Sequence, residues 1–236
     1  MSSPSPDLIN QINDPAVRAM REKIARFGHA LYERQLTDAA GGNLSSRVGD
    51  FVVMSPRYAG SKRQWQLAID DTLVCDLQGN ILAGNGEISR ESKVHFKLYR
   101  EYGEYGTGVI HAHARNLLVF AALARPMPPV LEATRKFGVV PVVPFAPAHS
   151  AELAESVANS IGEQKEKIKK QAACVIAPYH GLFTMGKDID AAFDAVERMD
   201  VNAYIILMGA LLERSDGLSA ARDEMERAIK AYESKS

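Results

Sequence analysis

The chain has 236 residues, of which 46% are hydrophobic and 24% are charged, which is ordinary for a water-soluble globular protein. Its formal net charge is −1, so no basic field would recruit nucleic acid or an anionic membrane. The N-terminus lacks the layout of a signal peptide, and the apolar run 201–212 is too short to span a bilayer, so we expect a cytoplasmic protein.

A tail and an amphipathic helix are the first predicted segments. Residues 1–14 are rich in serine and proline, which predicts a flexible tail before a single domain over residues 15–236. From Pro15 to about Gln35, apolar residues recur at steps of three and four, the spacing of one face of an α-helix. These apolar positions are Val17, Met20, Ile24, Phe27 and Leu31.

A glycine pair and three strands follow the helix. Gly41 and Gly42 let the backbone approach another group closely, although a plain helix-to-strand turn explains them as well. Strands are predicted from residue 43, over 51–56 and over 72–77, the last joined by a turn to residues 81–82. In the basic loop after the second strand, Arg57 either binds an anion or belongs to a solvated turn.

The next segment predicts a helix over residues 90–102, with Ser89 as its N-cap. Glu91 falls in the first turn, and His95 lies four residues later on the same face. The helix dipole alone can explain an acidic residue at this position, and His95 can be a half-buried polar residue without further function.

Residues 108–114 predict the end of a buried strand, because Val109 and Ile110 are β-branched. Alternate residues of a strand point to one face, so His111 and His113 project the same way, roughly 7 Å apart along the backbone. Two imidazoles on one face can share a cation, and imidazole suits zinc, copper, iron and nickel. The alternative is a pair of histidines that are hydrogen-bonded in a loop.

The remaining segments predict further helices and strands. The helices cover 116–124, 150–170 with Ser150 as cap, 188–212 and 219–232, and the strands cover 139–145, 173–177 and 182–185. Residues 199–212 are apolar nearly all round, which is typical of a helix buried in a core or against another subunit. Cys75 and Cys174 lie in apolar runs and are expected to be buried. His149 precedes the cap and is not expected to be a ligand.

Three histidines and a carboxylate fall at the ends of predicted elements. His111 and His113 end one strand, and His180 ends another. Glu91 opens a helix about twenty residues before the first histidine. Three imidazoles beside a carboxylate suit Zn²⁺ or a similar divalent ion.

The order of these motifs resembles the class II aldolase/adducin superfamily, and in particular its zinc-dependent fuculose- and rhamnulose-phosphate aldolases. The similar region extends from about residue 17 to residue 212. The matching segments are Gly42-Asn43-Leu44-Ser45, Ser55-Pro56, Ser89-Arg90-Glu91, Val109-Ile110-His111-Ala112-His113 and His180-Gly181.

The resemblance implies an α/β fold with three αβα layers around a central, largely antiparallel sheet. It also implies a homotetramer with C4 symmetry and active sites at subunit boundaries. Zinc would be held by His111, His113 and His180, while Glu91 would be a ligand in the empty site and a base once substrate binds. The substrate-binding positions would be Asn43, Ser45, Ser55, Arg57, Ser89 and Arg90.

Two features depart from the aldolase pattern. Arg57-Tyr58 and Arg90 stand where the aldolases have Thr-Gly and a serine, and two arginines suit a carboxylate or a differently placed phosphate. Glu132 lies where fuculose-phosphate aldolase has a tyrosine acid, and a glutamate in this region is similar to the acid/base of the superfamily's methylthioribulose-phosphate dehydratases. We therefore expect a small anionic substrate and Glu132 as a second catalytic residue, in its own subunit's site or in a neighbour's.

The leading hypothesis is a zinc-dependent lyase that cleaves a C–C bond of a small sugar or sugar phosphate, in the retro-aldol direction, through a metal-stabilised enediolate. One alternative is a metal-dependent decarboxylase of a hydroxy-aromatic or sugar acid, or a dehydratase, on the same scaffold. The other is a non-catalytic interaction module similar to the adducin head, which the four filled metal positions disfavour.

Overall fold

The computed structural model of the chain describes residues 10–212 and 217–234. These residues contain seven strands: β1 (Asn43–Val48), β2 (Phe51–Met54), β3 (Leu73–Cys75), β4 (Ile81–Ala83), β5 (Gly108–Ala112), β6 (Ala172–Ala177) and β7 (Gly181–Gly186). They form one sheet in the order β4-β3-β2-β1-β5-β7-β6, and every neighbouring pair is antiparallel. The predicted antiparallel sheet is confirmed.

Helices cover both faces of this sheet. They are α1 (Pro15–Glu33), α2 (Ala59–Arg63), α3 (Ser92–Tyr102), α4 (Leu117–Ala122), α5 (Ala151–Gly162), α6 (Lys165–Lys170), α7 (Ile189–Leu212) and α8 (Gly217–Glu233). Successive strand residues face opposite sides, so Ile110 packs in the core under α1, α4 and α7, whereas Val109 packs under α3, α5 and α6. The predicted three-layer αβα architecture is confirmed.

The predicted first helix is α1, and its start follows from two residues. Asp14 caps it, since Oδ1 accepts from the Ala16 backbone N–H at 2.7 Å, and Pro15 occupies the first position, where no N–H is required. Ahead of α1, residues 10–12 are helical and Ile12 is buried, so this part of the predicted tail packs on the core. Residues 1–9 of the predicted tail lie outside the described residues.

The predicted N-cap of α3 is wrong. The helix begins at Ser92, and Glu91 rather than Ser89 occupies the cap position. The hydroxyl of Ser89 accepts from the Glu91 backbone N–H at 3.3 Å and from Nδ2 of Asn43 at 3.0 Å. This serine therefore ties β1 to the start of α3, and Glu91 is held at the helix end.

Two other predictions between residues 139 and 170 are wrong. The helix capped by Ser150 ends at Gly162 and restarts as α6 at Lys165, so it is two helices. Residues 139–145 form only isolated bridges among the described residues. Pro141 and Pro144 explain the missing strand, because proline has no backbone N–H to donate to a ladder.

Both cysteines are buried and free, as predicted. Burial raises the pKa of the Cys75 thiol to about 12 and that of the Cys174 thiol to about 12, so neither is a thiolate near neutral pH. No helix in the described ranges combines the length and the apolar composition needed to cross a membrane.

Candidate metal centre

Three histidines converge where strand β5 ends and the turn between β6 and β7 approaches it. His111 is on β5, His113 follows its end, and His180 lies in the turn between β6 and β7. Strands β5 and β7 pair directly, with His111 opposite Phe183, and this pairing brings the turn to the end of β5. The candidate ligand atoms of the three imidazoles all lie within 4.8 Å of one another.

Neighbouring groups orient two of these imidazoles. Nδ1 of His111 lies 3.0 Å from the Leu182 carbonyl oxygen, and as a donor there it leaves Nε2 free. Nδ1 of His113 lies 3.3 Å from an Asp38 carboxylate oxygen, which holds that ring in the same way. A histidine ligand commonly donates its other ring N–H to a carbonyl or a carboxylate, which sets the tautomer that binds metal.

Of the two explanations of the glycine pair, the structure shows a close approach, which involves His113. A Cβ atom on Gly41 would lie 2.0 Å from Cε1 of His113, so any side chain there would displace the imidazole. Gly181 is equally confined, because a Cβ atom there would lie 2.7 Å from the Ala112 carbonyl oxygen. These two glycines are therefore required by the packing of the histidine cluster.

The carboxylate of Glu91 is buried beside the cluster, with 5% of the residue exposed. Its Oε1 lies 3.6 Å from Nε2 of His180 and 2.6 Å from Nδ1 of His149. Burial raises the pKa of Glu91, and the nearby His149 opposes that rise. His149 was not expected at the site, since a single histidine ahead of a helix cap carries no spacing signal.

Burial keeps the metal-facing histidines neutral. Desolvation and then the neighbouring His113 and His180 hold the pKa of His111 well below its ordinary value. Burial, followed by His113 and His149, lowers the pKa of His180 to about 4. A neutral imidazole is the form that binds a metal, so these two residues are in the ligand state near neutral pH.

Most of the predicted substrate-binding residues line one cavity with the histidines. Those that do are Asn43, Arg57, Ser89 and Arg90, together with Glu91 and His149. The guanidinium of Arg57 lies 4.4 Å from the Tyr58 ring centroid, and one of its nitrogens is 2.8 Å from a Glu87 oxygen. Nε of Arg57 is buried and has no hydrogen-bond partner among the described residues, so its N–H can donate to an anionic ligand.

Ser45 and Ser55 lie outside this cavity, contrary to their predicted positions. The hydroxyl of Ser45 is 2.7 Å from Nδ1 of His95 and 2.7 Å from the Tyr99 hydroxyl, under α3. The hydroxyl of Ser55 accepts from the Leu44 backbone N–H at 3.2 Å. Both serines are completely buried, so they hold β1 and its neighbours rather than face a ligand.

Glu132 also lies away from the histidine cavity of its own chain. It is exposed at the start of a 3₁₀ turn, Glu132–Phe137, and lines a separate groove with Arg135 and Glu226. Any role of Glu132 in the reaction therefore requires the cavity of a second copy of the chain.

His95 provides a prediction about stability. Burial lowers its pKa from 6.5 to about 3, so between these values the unfolded chain binds a proton that the folded chain does not. Acidification therefore favours unfolding, by about 1.4 kcal/mol per pH unit for one such group. We expect His95→Leu in the metal-free protein to reduce the pH dependence of the unfolding free energy between pH 4 and 6 by about that amount.

The measurement is urea unfolding at a series of pH values. The control is His29→Gln, because His29 lies at the surface with 43% of its side chain exposed. An unchanged slope in the His95 variant would contradict the assignment of this proton to His95.

Comparison with known proteins identifies the family. The sequence matches the profile of the Class II Aldolase and Adducin N-terminal domain over residues 22–207, which is most of the chain. The chain belongs to the class II aldolase/adducin family. An L-fuculose phosphate aldolase of Methanococcus maripaludis is 30% identical over 184 residues, covering 78% of this chain and 92% of that protein.

One further relative is named for a different activity. A 3-oxo-tetronate 4-phosphate decarboxylase of Haemophilus influenzae is 26% identical over 196 residues, covering 79% of this chain and 86% of that protein. Among solved structures, an L-fuculose 1-phosphate aldolase matches with a TM-score of 0.68 and 22% identity, covering 88% of this chain and 96% of that one. The structural match supports the fold.

Class II aldolases are metal-dependent, and the side chains of this class II aldolase-type site fit a divalent transition metal. Nε2 of His113, Nδ1 of His180 and both oxygens of Glu91 are buried without an aligned hydrogen bond to any described residue. Unpaired buried polar atoms are costly, and a metal would satisfy the two imidazole nitrogens, with the Glu91 carboxylate left beside it. Imidazole nitrogens with a nearby carboxylate are the donors that zinc and similar ions prefer.

Proposed function

We propose that this chain is a zinc-dependent lyase that cleaves a C–C bond of a small sugar phosphate in the retro-aldol direction. The observation that carries the proposal is the convergence of His111, His113 and His180 beside the buried carboxylate of Glu91. The relative from M. maripaludis, named an L-fuculose phosphate aldolase, supports the reaction class. We further propose that the protein acts in the cytoplasm.

The three histidines would hold the metal, and Glu91 would move the proton. When bound, a divalent metal acts as a Lewis acid that stabilises negative charge on the substrate oxygens. Glu91 lines the same cavity; its carboxylate can take up the proton of the substrate hydroxyl that becomes a carbonyl and, as the acid so formed, return it to the carbon that loses its bond. The raised pKa of Glu91 favours this exchange, because a general acid or base works best when its pKa approaches the working pH.

The anionic group of the substrate would contact the two arginines of the cavity. Arg57 and Arg90 line the cavity, as do Asn43 and Ser89, which are joined by a hydrogen bond of 3.0 Å. Arginine presents several donors in a rigid plane, which suits a phosphate or a carboxylate. The substrate class therefore combines an anionic group with a carbonyl and a neighbouring hydroxyl.

The test is a substrate panel on the zinc-loaded protein. L-fuculose 1-phosphate and other ketose phosphates are supplied beside sugar acids and dihydroxylated aromatic acids. Release of dihydroxyacetone phosphate or of glycolaldehyde from a ketose phosphate supports the proposal. Release of carbon dioxide from an acid would instead assign the chain to decarboxylation. If the protein binds no stoichiometric zinc and converts none of the substrates, a non-catalytic, adducin-like module would be favoured.

Decarboxylation is the second candidate, and one observation favours it. Two arginines, Arg57 and Arg90, line the cavity where the aldolases use hydroxyl groups, and a guanidinium pairs well with a carboxylate. The relative from H. influenzae, named a 3-oxo-tetronate 4-phosphate decarboxylase, shows that decarboxylation occurs within the family. Dehydration on the same scaffold would require Glu132 from a neighbouring subunit.

The arginines provide a prediction for either reaction. We expect Arg57→Ala and Arg90→Ala each to raise KM for an anionic substrate about tenfold or more, because a hydrogen bond to a charged group contributes about 1.5–3 kcal/mol. Steady-state kinetics measure the effect. Arg100→Ala is the control, since Arg100 lies on another surface near Gln78. Unchanged KM values in both cavity variants would remove the arginines from substrate binding.

We also propose a homotetramer in which Glu132 reaches a neighbouring cavity. Val201, Tyr204, Leu211 and Leu212 on α7 are each at least 46% exposed in the single chain. An apolar surface of this kind on a soluble domain is typical of a subunit interface. Light scattering is expected to give a mass near four times that of the chain, and a monomeric mass would exclude a role for Glu132.

A further inference from the structure

We propose that His149 is a positioning residue that holds the Glu91 carboxylate as a base and keeps it out of the metal's coordination shell. The inference rests on the proposed function, since it concerns the same cavity. It gives the chain a three-histidine centre in which Glu91 is reserved for proton transfer.

The distances place Glu91 closer to His149 than to the histidine cluster. Oε1 of Glu91 is 2.6 Å from Nδ1 of His149, whereas it is 3.6 Å from Nε2 of His180. Among the described residues, the group of candidate ligand atoms within 4.8 Å of one another consists of three histidines and does not include Glu91. The contact with His149 is short but not aligned as a hydrogen bond, which is common for catalytic pairs before substrate binds.

The backbone of His149 adopts a conformation that a residue with a side chain rarely takes. Its φ angle is +69°, in the left-handed region that is unfavourable for a residue with a Cβ atom. Glycine or asparagine would occupy this position with less strain. Non-glycine residues in this region concentrate at functional sites, where the surrounding structure maintains them.

Two packed helices hold His149 above Glu91. Glu91 is at the cap of α3, and His149 directly precedes Ser150, whose hydroxyl accepts from the Leu153 backbone N–H at 3.0 Å and so caps α5. Lys93, in the first turn of α3, donates to the carbonyl oxygen of His149 at 3.2 Å. The imidazole lines the same cavity as the three histidines, so its contact with Glu91 faces the reacting groups.

The contact with His149 affects the reaction because the Glu91 carboxylate has two possible partners, His149 and the metal. A carboxylate that binds the metal offers its charge to the ion and is a poor proton acceptor. With Oε1 held by His149, Glu91 remains available for the proton while the three imidazoles suffice to hold the ion. Loss of the His149 side chain would therefore release Glu91 toward the metal.

The first experiment measures zinc affinity in a double-mutant cycle of His149→Gly and Glu91→Gln. With His149 present, we expect Glu91→Gln to change the Kd for Zn²⁺ by no more than about twofold; with glycine at position 149, we expect it to weaken zinc binding about tenfold. Equal effects in both backgrounds would overturn the proposal. A loss of zinc affinity in His149→Gly alone would show that His149 is itself a ligand, and would also overturn it.

The second experiment measures turnover on the substrate identified by the panel. We expect kcat of His149→Gly to fall about 10- to 100-fold with little change in KM, which is the usual effect of removing a group that orients another. His149→Asn should recover most of the loss, because asparagine tolerates a left-handed backbone and its amide can donate near the position of Nδ1. Failure of asparagine to recover turnover above the glycine variant would contradict the positioning role.

The control is Ala124→Gly, since Ala124 also has a positive φ, +48°, and does not line the cavity. Both glycine variants should unfold at or above the wild-type temperature, which shows that any loss of turnover is not a loss of fold. Failure of the wild-type chain to bind zinc would overturn this inference together with the proposed function. Zinc binding with additive effects in the cycle would overturn this inference alone.

Discussion

His113→Ala is expected to lose its bound metal and, with it, turnover. The residue contributes one of three converging imidazoles, and its Nε2 is buried without a hydrogen-bond partner among the described residues. Loss of an outer-shell partner typically costs about 10- to 100-fold in metal affinity, so loss of a direct ligand should exceed about 100-fold. Competition with a chelator and metal analysis of the purified variant measure this. His113 is preferable to His111, whose complete burial makes its replacement a test of folding as well.

Asp38→Asn is expected to weaken metal binding less than His113→Ala does. Its carboxylate lies 3.3 Å from Nδ1 of His113 and orients the ring without lining the histidine cavity. We expect this variant to lose only about 10- to 100-fold in affinity, between wild type and His113→Ala. Stoichiometric zinc in His113→Ala, with wild-type affinity, would refute the metal centre.

Glu91→Gln is expected to fold, to keep its zinc and to lose about 10²- to 10⁴-fold in kcat, which is the range for removal of a general acid or base. Glutamine keeps the size and the hydrogen-bonding oxygen of the side chain but cannot take up the proton. Because the carboxylate is buried and lies 2.6 Å from His149, the neutral amide should be tolerated. Steady-state kinetics, zinc analysis and thermal unfolding measure the three properties.

The matched control is Glu101→Gln, near the other end of the same helix, where the side chain pairs with Lys97 away from the cavity. It should retain wild-type kcat. Substantial turnover in Glu91→Gln would exclude Glu91 as the base, and loss of zinc in that variant would assign it to the metal instead.

Local sequence patterns predicted much of the fold. The three- and four-residue spacing of the apolar residues from Val17 to Leu31 predicted α1, because that period places apolar side chains on one helical face. The β-branched run before His111 predicted β5, because such residues favour the extended backbone of a buried strand. The apolar run 139–145 likewise predicted a strand, but its prolines cannot donate the backbone hydrogen bonds of a ladder, and only isolated bridges form among the described residues.

The predicted site was less accurate where a motif was treated as one unit. Asn43 and Ser45 belong to the same segment and face the same side of β1, yet only Asn43 lines the cavity. Two residues along a strand advance the chain by about 6.6 Å, and this distance carries Ser45 under α3, against His95 and Tyr99. The motif identified the strand correctly, but the covering helix decided which side chain lines the cavity.

By itself the sequence determined the helices and strands with clear periodicity, the family, and three histidines and a glutamate as candidates. Only the tertiary structure decided that these four converge, because His180 joins His111 through the pairing of β5 with β7 across about seventy residues of chain. It also placed His149 against Glu91, through the packing of α5 on α3. Contacts between such distant segments depend on the packing of the whole core, and no local period or spacing in the chain encodes them.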